Sequence, residues 1–350
     1  MKKGKITAII IGVLLLVAQN GFADDFTKNY HQEYKVTKNT ILKLSNRYGN
    51  MHIENWDKNI VDIKVVVTVN TSSKSKADNT FDKIEIKFAK DGDMISAITD
   101  ITESIRNTDF SIDYTVRMPK NINVDLYNKY GNLFLNEVNG HANISVKYGS
   151  FAINKLSRGN KKPLNFVSVA YSNSTCDIED ANWLKLEARY SKVSINKAIA
   201  LMIGSKYSSI KIKKAKSIVA ESKYDHPFRV GAVRNFICTG GYSGFEISKL
   251  YNKLEMDLKY SNLELGSIDP DFELIKVNLK YGKASLSVSD ELAYELKAEA
   301  AYGSINHPDR TSLSKIIEGT ESTYWGVIGN KENPKAKIII NSRYGKVNFN

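Results

Sequence analysis

The most regular chemistry in this sequence is a basic side chain followed by a tyrosine and then by a glycine or serine. Lys129-Tyr130-Gly131, Lys147-Tyr148-Gly149, Arg189-Tyr190-Ser191, Lys206-Tyr207-Ser208, Lys259-Tyr260-Ser261 and Lys280-Tyr281-Gly282 all repeat it. Lys223 stands in the same place before Tyr224, and Arg47 and Arg343 carry the theme toward the two ends. Aligned cations would attract an anionic ligand such as an acidic polysaccharide, a lipopolysaccharide phosphate or a nucleic acid. The same residues also read as solvated lysines that deter edge aggregation and are balanced by Glu187, Glu221, Asp257 and Glu299 two places earlier. The tyrosines themselves could stack on sugar rings or on one another.

Other chemistry is sparse. Five scattered histidines suggest no metal cluster and hence no metal or other cofactor. Cys176 and Cys238 lie 62 residues apart and read as two buried free thiols. Asp177, Glu179 and Asp180 crowd together before Trp183 and read as a solvated turn in preference to a pair of catalytic carboxylates. His226 and His307 precede prolines and read as turn residues. No phosphate-binding glycine loop, nucleophile elbow or His-Glu-x-x-His helix occurs. The expectation is a chain that is not an enzyme, with a polysaccharide lyase or hydrolase as the alternative.

The elements that must position these residues are set by a repeat. Tyr130, Tyr148, Tyr171, Tyr190, Tyr207, Tyr224, Tyr242, Tyr260, Tyr281 and Tyr302 recur with a mean step of about 19 residues. Within a unit the apolar residues alternate, as in Leu184, Leu186, Ala188 and again Ile275, Val277, Leu279. After each tyrosine the parity slips by one, as in Val193 and Ile195 after Tyr190. The Gly or Ser that follows the tyrosine is the expected bend. By parity the tyrosines face inward as a buried stack and the preceding cations face outward. Units of two short strands cannot bury their apolar faces alone and must stack, with neighbours about 4.8 Å apart. The fold class is therefore all-β, a parallel β-solenoid, right-handed by the crossover rule. At that spacing the two cysteines sit roughly 16 Å apart along the axis, beyond disulfide reach.

The composition fits this reading. Of 350 residues, 50 are Lys or Arg and 38 Asp or Glu, for a net charge of +12, and an apolar fraction of 42% supports a core rather than disorder. Lys2, Lys3 and Lys5, an apolar run from Ile6 to Ala18 and Gly21-Phe22-Ala23 read as a cleaved signal peptide over residues 1–23. That run is too short to span a bilayer, and no second one follows, so no transmembrane segment is expected after its removal. Residues 24–120 read as a β-rich N-terminal cap continuous with the solenoid, with a short helix near 72–82, and residues 121–350 as the solenoid. The period breaks between His307 and Pro334 and returns as a last strand pair through Ile338, Ile340, Tyr344, Val347 and Phe349.

The Tyr-Gly-x-apolar-x-apolar units, together with Ile53-Glu54-Asn55-Trp56-Asp57-Lys58 and Val116-Arg117-Met118-Pro119-Lys120-Asn121, resemble the secreted adhesins of Bacteroidetes-type bacteria with head-GIN or adhesin-like domains. The resemblance spans nearly all of the chain after the leader. It implies a single-stranded right-handed parallel β-helix in the periplasm or at the cell surface, with adhesion as its role and no catalytic residue. Serine in place of glycine at several corners, and Tyr224-Asp225-His226-Pro227-Phe228, depart from the pattern. The partner expected is an acidic glycan or envelope surface component rather than nucleic acid. A structural or regulatory envelope protein without a ligand is the remaining alternative.

Overall fold

The computed structural model describes residues 24–307, 313–330 and 332–350; the leader expected at residues 1–23 lies outside the described residues. The described residues are all-β apart from one helix, Lys74–Asp82, whose first turn is capped by the Ser73 hydroxyl accepting the Lys76 N–H at 3.3 Å.

Alternating apolar residues put strands on both sides of each tyrosine, and the strands of successive repeats pair in parallel and in register. Leu186, Ile203, Ala220, Cys238, Met256, Val277 and Ile340 form one continuous buried column on the side leading into the tyrosines. Cys176, Val193, Ile210, Phe228, Phe245, Leu263, Ala284 and Val347 form another on the side leading out. Burying each large member of these columns contributes about 1.5–3 kcal/mol, which the single repeat could not gain without a neighbour. The two cysteines fall in different columns and are buried and free.

Both ends of the stack are closed by antiparallel strands. At the N-terminal end Ile41–Arg47 pairs in parallel with both Asn123–Lys129 and Met94–Ile101, and Met51–Asn55 with both Leu133–Val138 and Asp109–Met118. Ile84–Asp91 then covers Met94–Ile101, and Ile60–Thr71 with Asp24–Lys35 covers Asp109–Met118, all antiparallel. At the other end Glu321–Ile328 and Leu313–Glu318 fold back antiparallel over Tyr294–Ala301.

Chain order and spatial order part company at this end. Lys337–Arg343 pairs with Leu274–Lys280 on one side and with Tyr294–Ala301 on the other, and Lys346–Phe349 sits likewise between Lys283–Leu286 and Ser304–Asn306. The last strand pair is thus threaded between two earlier repeats, and Tyr302 does not neighbour Tyr281.

The corner differs from the sequence expectation in a second way. The left-handed backbone conformation is carried by the tyrosines, with φ of 49° to 62° from Tyr48 to Tyr344, and not by the residue after them. A left-handed residue in an otherwise extended chain turns its side chain out through the corner, so the inward reading of the tyrosines is corrected: the twelve are 37–54% exposed. The next residue takes the inward place. Where it is glycine the neighbouring rung lies too close for a side chain, since a Cβ on Gly131 would meet the Gly49 carbonyl oxygen at 1.8 Å. Where it is serine a hydrogen-bonded column forms. The Ser172, Ser191 and Ser243 N–H groups donate to the hydroxyls of Ser191, Ser208 and Ser261 at 3.0–3.3 Å, and the Ser191, Ser208, Ser243 and Ser261 hydroxyls donate to the carbonyl two residues before them.

Gly131→Ala should therefore lower stability by about 1–3 kcal/mol through overpacking, whereas Gly241→Ala, with open space around the added carbon, should shift it by less than about 1 kcal/mol. Thermal unfolding of the two variants beside the parent chain measures the difference.

Candidate ligand-binding face

Once every corner turns its tyrosine outward, the hydrogen-bond spacing of the strands fixes the spacing of the rings. Tyr48, Tyr130, Tyr148, Tyr171, Tyr190, Tyr207, Tyr224, Tyr242, Tyr260, Tyr281, Tyr344 and Tyr302 form one ladder, with centroids 4.7–5.1 Å apart and planes within 19° of parallel. Phe110 covers the outer face of Tyr48 at 5.3 Å. Left-handed backbone at a non-glycine residue costs about 1–2 kcal/mol, and an aromatic pair returns about 0.5–1.5 kcal/mol beyond its burial. Ring stacking of that size offsets most of the corner strain, which is why an aromatic side chain suits a position where glycine would be easier.

Self-stacking also decides what the ladder can bind. Each interior ring has a neighbour on both faces, so flat sugar rings or nucleic-acid bases find only ring edges and phenol hydroxyls. The residues before the tyrosines line up beside this edge. In-register pairing places Lys129 beside Lys147, Arg189 beside Lys206, Lys206 beside Lys223, and Lys259 beside Lys280. Arg47 and Arg343 join the same row through Lys129 and Lys280. Several of these cations lie along the rings: Lys129 Nζ is 4.6 Å from the Tyr130 centroid, Lys206 Nζ 5.2 Å from Tyr207 and Arg343 Cζ 5.5 Å from Tyr344. Contact with the Tyr130 phenol holds the Lys129 ammonium above its ordinary pKa, and Glu221, 2.8 Å away, does the same for Lys223.

Behind the ladder one corner breaks the serine column. Asp225 is fully buried, and accepts from the Ser205 and Ser222 hydroxyls at 2.5 and 2.6 Å and from the Ser208 N–H at 2.8 Å. Burial pushes its carboxyl above the usual carboxylate range despite these donors. This group was not legible as special in the sequence; its only signal was an acid at a place otherwise held by Gly or Ser.

Two outward acids that share one column are too far apart for the carboxylate pair of glycoside hydrolysis. Asp257, Asn278, Asn341 and Glu299 occupy one column in that order, so the two acids are three strand steps, roughly 14 Å, apart, beyond the 5–9.5 Å of catalytic carboxylate pairs. They border a concavity of about 370 Å³ that also meets Lys259, Lys280, Glu321 and Arg343, and Glu299 is held by Lys297 at 3.0 Å. Asp177 and Glu179 are exposed with Asp180 half-buried, and Glu179 accepts from Asn196. His31, Glu33 and Asp62 gather within 4.8 Å, but Arg117 donates twice to the second Asp62 oxygen. That cluster is a clasp between strands, with His31 Nε2 2.6 Å from one Asp62 oxygen and Arg117 on the other.

No family model matches the chain, and no curated protein does. Solved structures that it resembles include a candidate adhesin from Parabacteroides merdae, 10% identical with a TM-score of 0.40 over 92% of this chain and 96% of that one. A candidate adhesin from Parabacteroides distasonis is 14% identical with a TM-score of 0.34 over 92% and 97%. A candidate lipid-binding protein from the same organism is 12% identical with a TM-score of 0.38 over 69% and 96%. Likenesses this low say nothing about what this chain binds.

Two outcomes follow from the corner. A double-mutant cycle on Tyr207→Ala and Tyr224→Ala should show a coupling of about 0.5–1.5 kcal/mol, and the pair Tyr207→Ala and Tyr281→Ala should be additive. For Asp225 the folded pKa is raised, so its contribution is most favourable below the unfolded value near 3.8 and is lost as pH rises through the folded one. Asp225→Ser, which continues the serine column, should flatten that decline in melting temperature between pH 4 and neutrality.

Proposed function

We propose that this chain is an exported, non-catalytic adhesin-like protein of the cell envelope. On this reading the stack is a right-handed parallel β-solenoid that holds an acidic glycan or another anionic surface ligand along its tyrosine and cation edge. The single observation that supports it most is the continuous row of exposed tyrosine edges flanked by cations on nine of twelve rungs. Adjacent like charges repel across neighbouring strands, and a ligand bearing carboxylate, sulfate or phosphate groups relieves that repulsion. Phenol hydroxyls at every rung add hydrogen-bond donors and acceptors for a hydroxylated polymer. Lys129, Lys147, Arg189, Lys206, Lys223, Lys259 and Lys280 would make the ionic contacts on this face.

The test is binding of the mature protein to acidic and neutral glycans at low and moderate salt, beside a variant with Lys206→Gln, Lys223→Gln and Lys259→Gln. The expected result is binding to acidic members that weakens with salt and falls by about tenfold or more in the variant. Equal behaviour of the two proteins would remove the cation row from the function and leave it a solubility device.

A further inference from the structure

Spatial order reveals a grouping in the cation row that chain order hides. From the N-terminal end, Arg47, Lys129 and Lys147 occupy three successive rungs and Ala170 the fourth. Arg189, Lys206 and Lys223 follow, and Gly241 takes the fourth place. Lys259 and Lys280 come next, completed by Arg343 from the threaded C-terminal strand, before Ala301. Three cations and one small neutral residue thus repeat three times over twelve rungs. At two of the three gaps the ring beside the small residue is the barest of the ladder, with Tyr242 52% and Tyr302 54% exposed.

We propose that this face carries three similarly spaced cationic patches that together hold one linear polyanionic polysaccharide along the stack axis. The proposal rests on the adhesin-like reading above and specifies its ligand. At the ring spacing observed, each patch spans about 10 Å and the patches repeat about every 20 Å. A ligand with carboxylate, sulfate or phosphate groups at regular intervals meets the same contact three times on a rigid body, so its affinity grows by linkage of weak contacts. A compact glycan would use one patch alone. Nucleic acid fits less well, because single-strand binding draws on aromatic faces, and here each interior face is covered by the next ring.

The patches differ in electrostatic surroundings. In the adjacent outward column the first triad is flanked by Ser45, Tyr127 and Ser145, whereas Glu187 and Glu221 flank the second. Asp257 stands beside the third. The first patch has its acids elsewhere, since Asp100 interacts with Arg47, and Glu103 and Asp109 line the same concavity as Arg47.

The experiment is a calorimetric titration at low salt with a trimer of a uronic acid, which is shorter than the interval between patches, and with the long polymer of the same acid. The parent chain and Arg189→Gln/Lys206→Gln/Lys223→Gln are compared. Three trimer sites per parent chain and two in the variant, with about tenfold or more weaker binding of the long polymer by the variant, are expected. A single trimer site, or the same number in both proteins, overturns the three-patch inference. If the long polymer nevertheless binds in a salt-sensitive way and is lost from the Lys206→Gln/Lys223→Gln/Lys259→Gln variant, the adhesin-like reading survives that failure. Absence of binding to either probe overturns both, and tighter binding of single-stranded oligothymidylate than of the polyuronate overturns the choice of polymer.

Discussion

The spacing of a parallel backbone ladder, near 4.8 Å, is the constraint on which the molecule depends. Each repeat buries its apolar residues only against the repeat before and after it, so every rung must present an apolar residue at the same buried place. That requirement turns a local feature into a column. One left-handed corner becomes twelve, one exposed ring becomes a stack, and one basic side chain becomes a row of like charges. The surface chemistry of this protein is the chemistry of a single corner multiplied by hydrogen-bond geometry.

The strain of that corner and the stacking of the rings are of similar size, which explains why the two occur together. A tyrosine alone at φ near +55° would be disfavoured; a tyrosine between two others regains most of the loss through its faces. The rest of the corner divides by available space. Glycine follows the tyrosine where the neighbouring carbonyl crowds in, serine where a hydroxyl fits between two peptide groups, and Asp225 at one rung where three donors converge.

Much of this was legible in the residues. Alternation around Leu184, Leu186 and Ala188, the slip in parity after Tyr190 and the regular return of tyrosine were enough to read parallel stacking and buried, unpaired Cys176 and Cys238. What misled was the assumption that parity runs unbroken through the corner. Parity holds only while the backbone stays extended, and the residue that leaves the extended region is the tyrosine itself, so Tyr190 does not share the side of Ala188. The position of the last strand pair was also hidden. Ile338 and Ile340 signal a further rung, but nothing in their spacing says that its slot lies between Leu279 and Ala300 rather than beyond them. That is decided by which edge is left open once Tyr294–Ala301 is covered by Glu321–Ile328. The triads of cations depend on this placement, and for that reason no count along the chain finds them.

The threaded strand pair separates the order of synthesis from the order of assembly. A stack of this kind can grow rung by rung as the polypeptide emerges, each new repeat docking on the last, as far as the rung that carries Tyr281. There growth must pause, because the rung that carries Tyr302 has no seat until residues 337–349 have been made and have filled the space beneath it. Closure of this edge of the stack thus waits for the strand pair Lys337–Arg343 and Lys346–Phe349. Until it occurs, the Leu274–Lys280 edge stands open with its row of peptide groups unpaired.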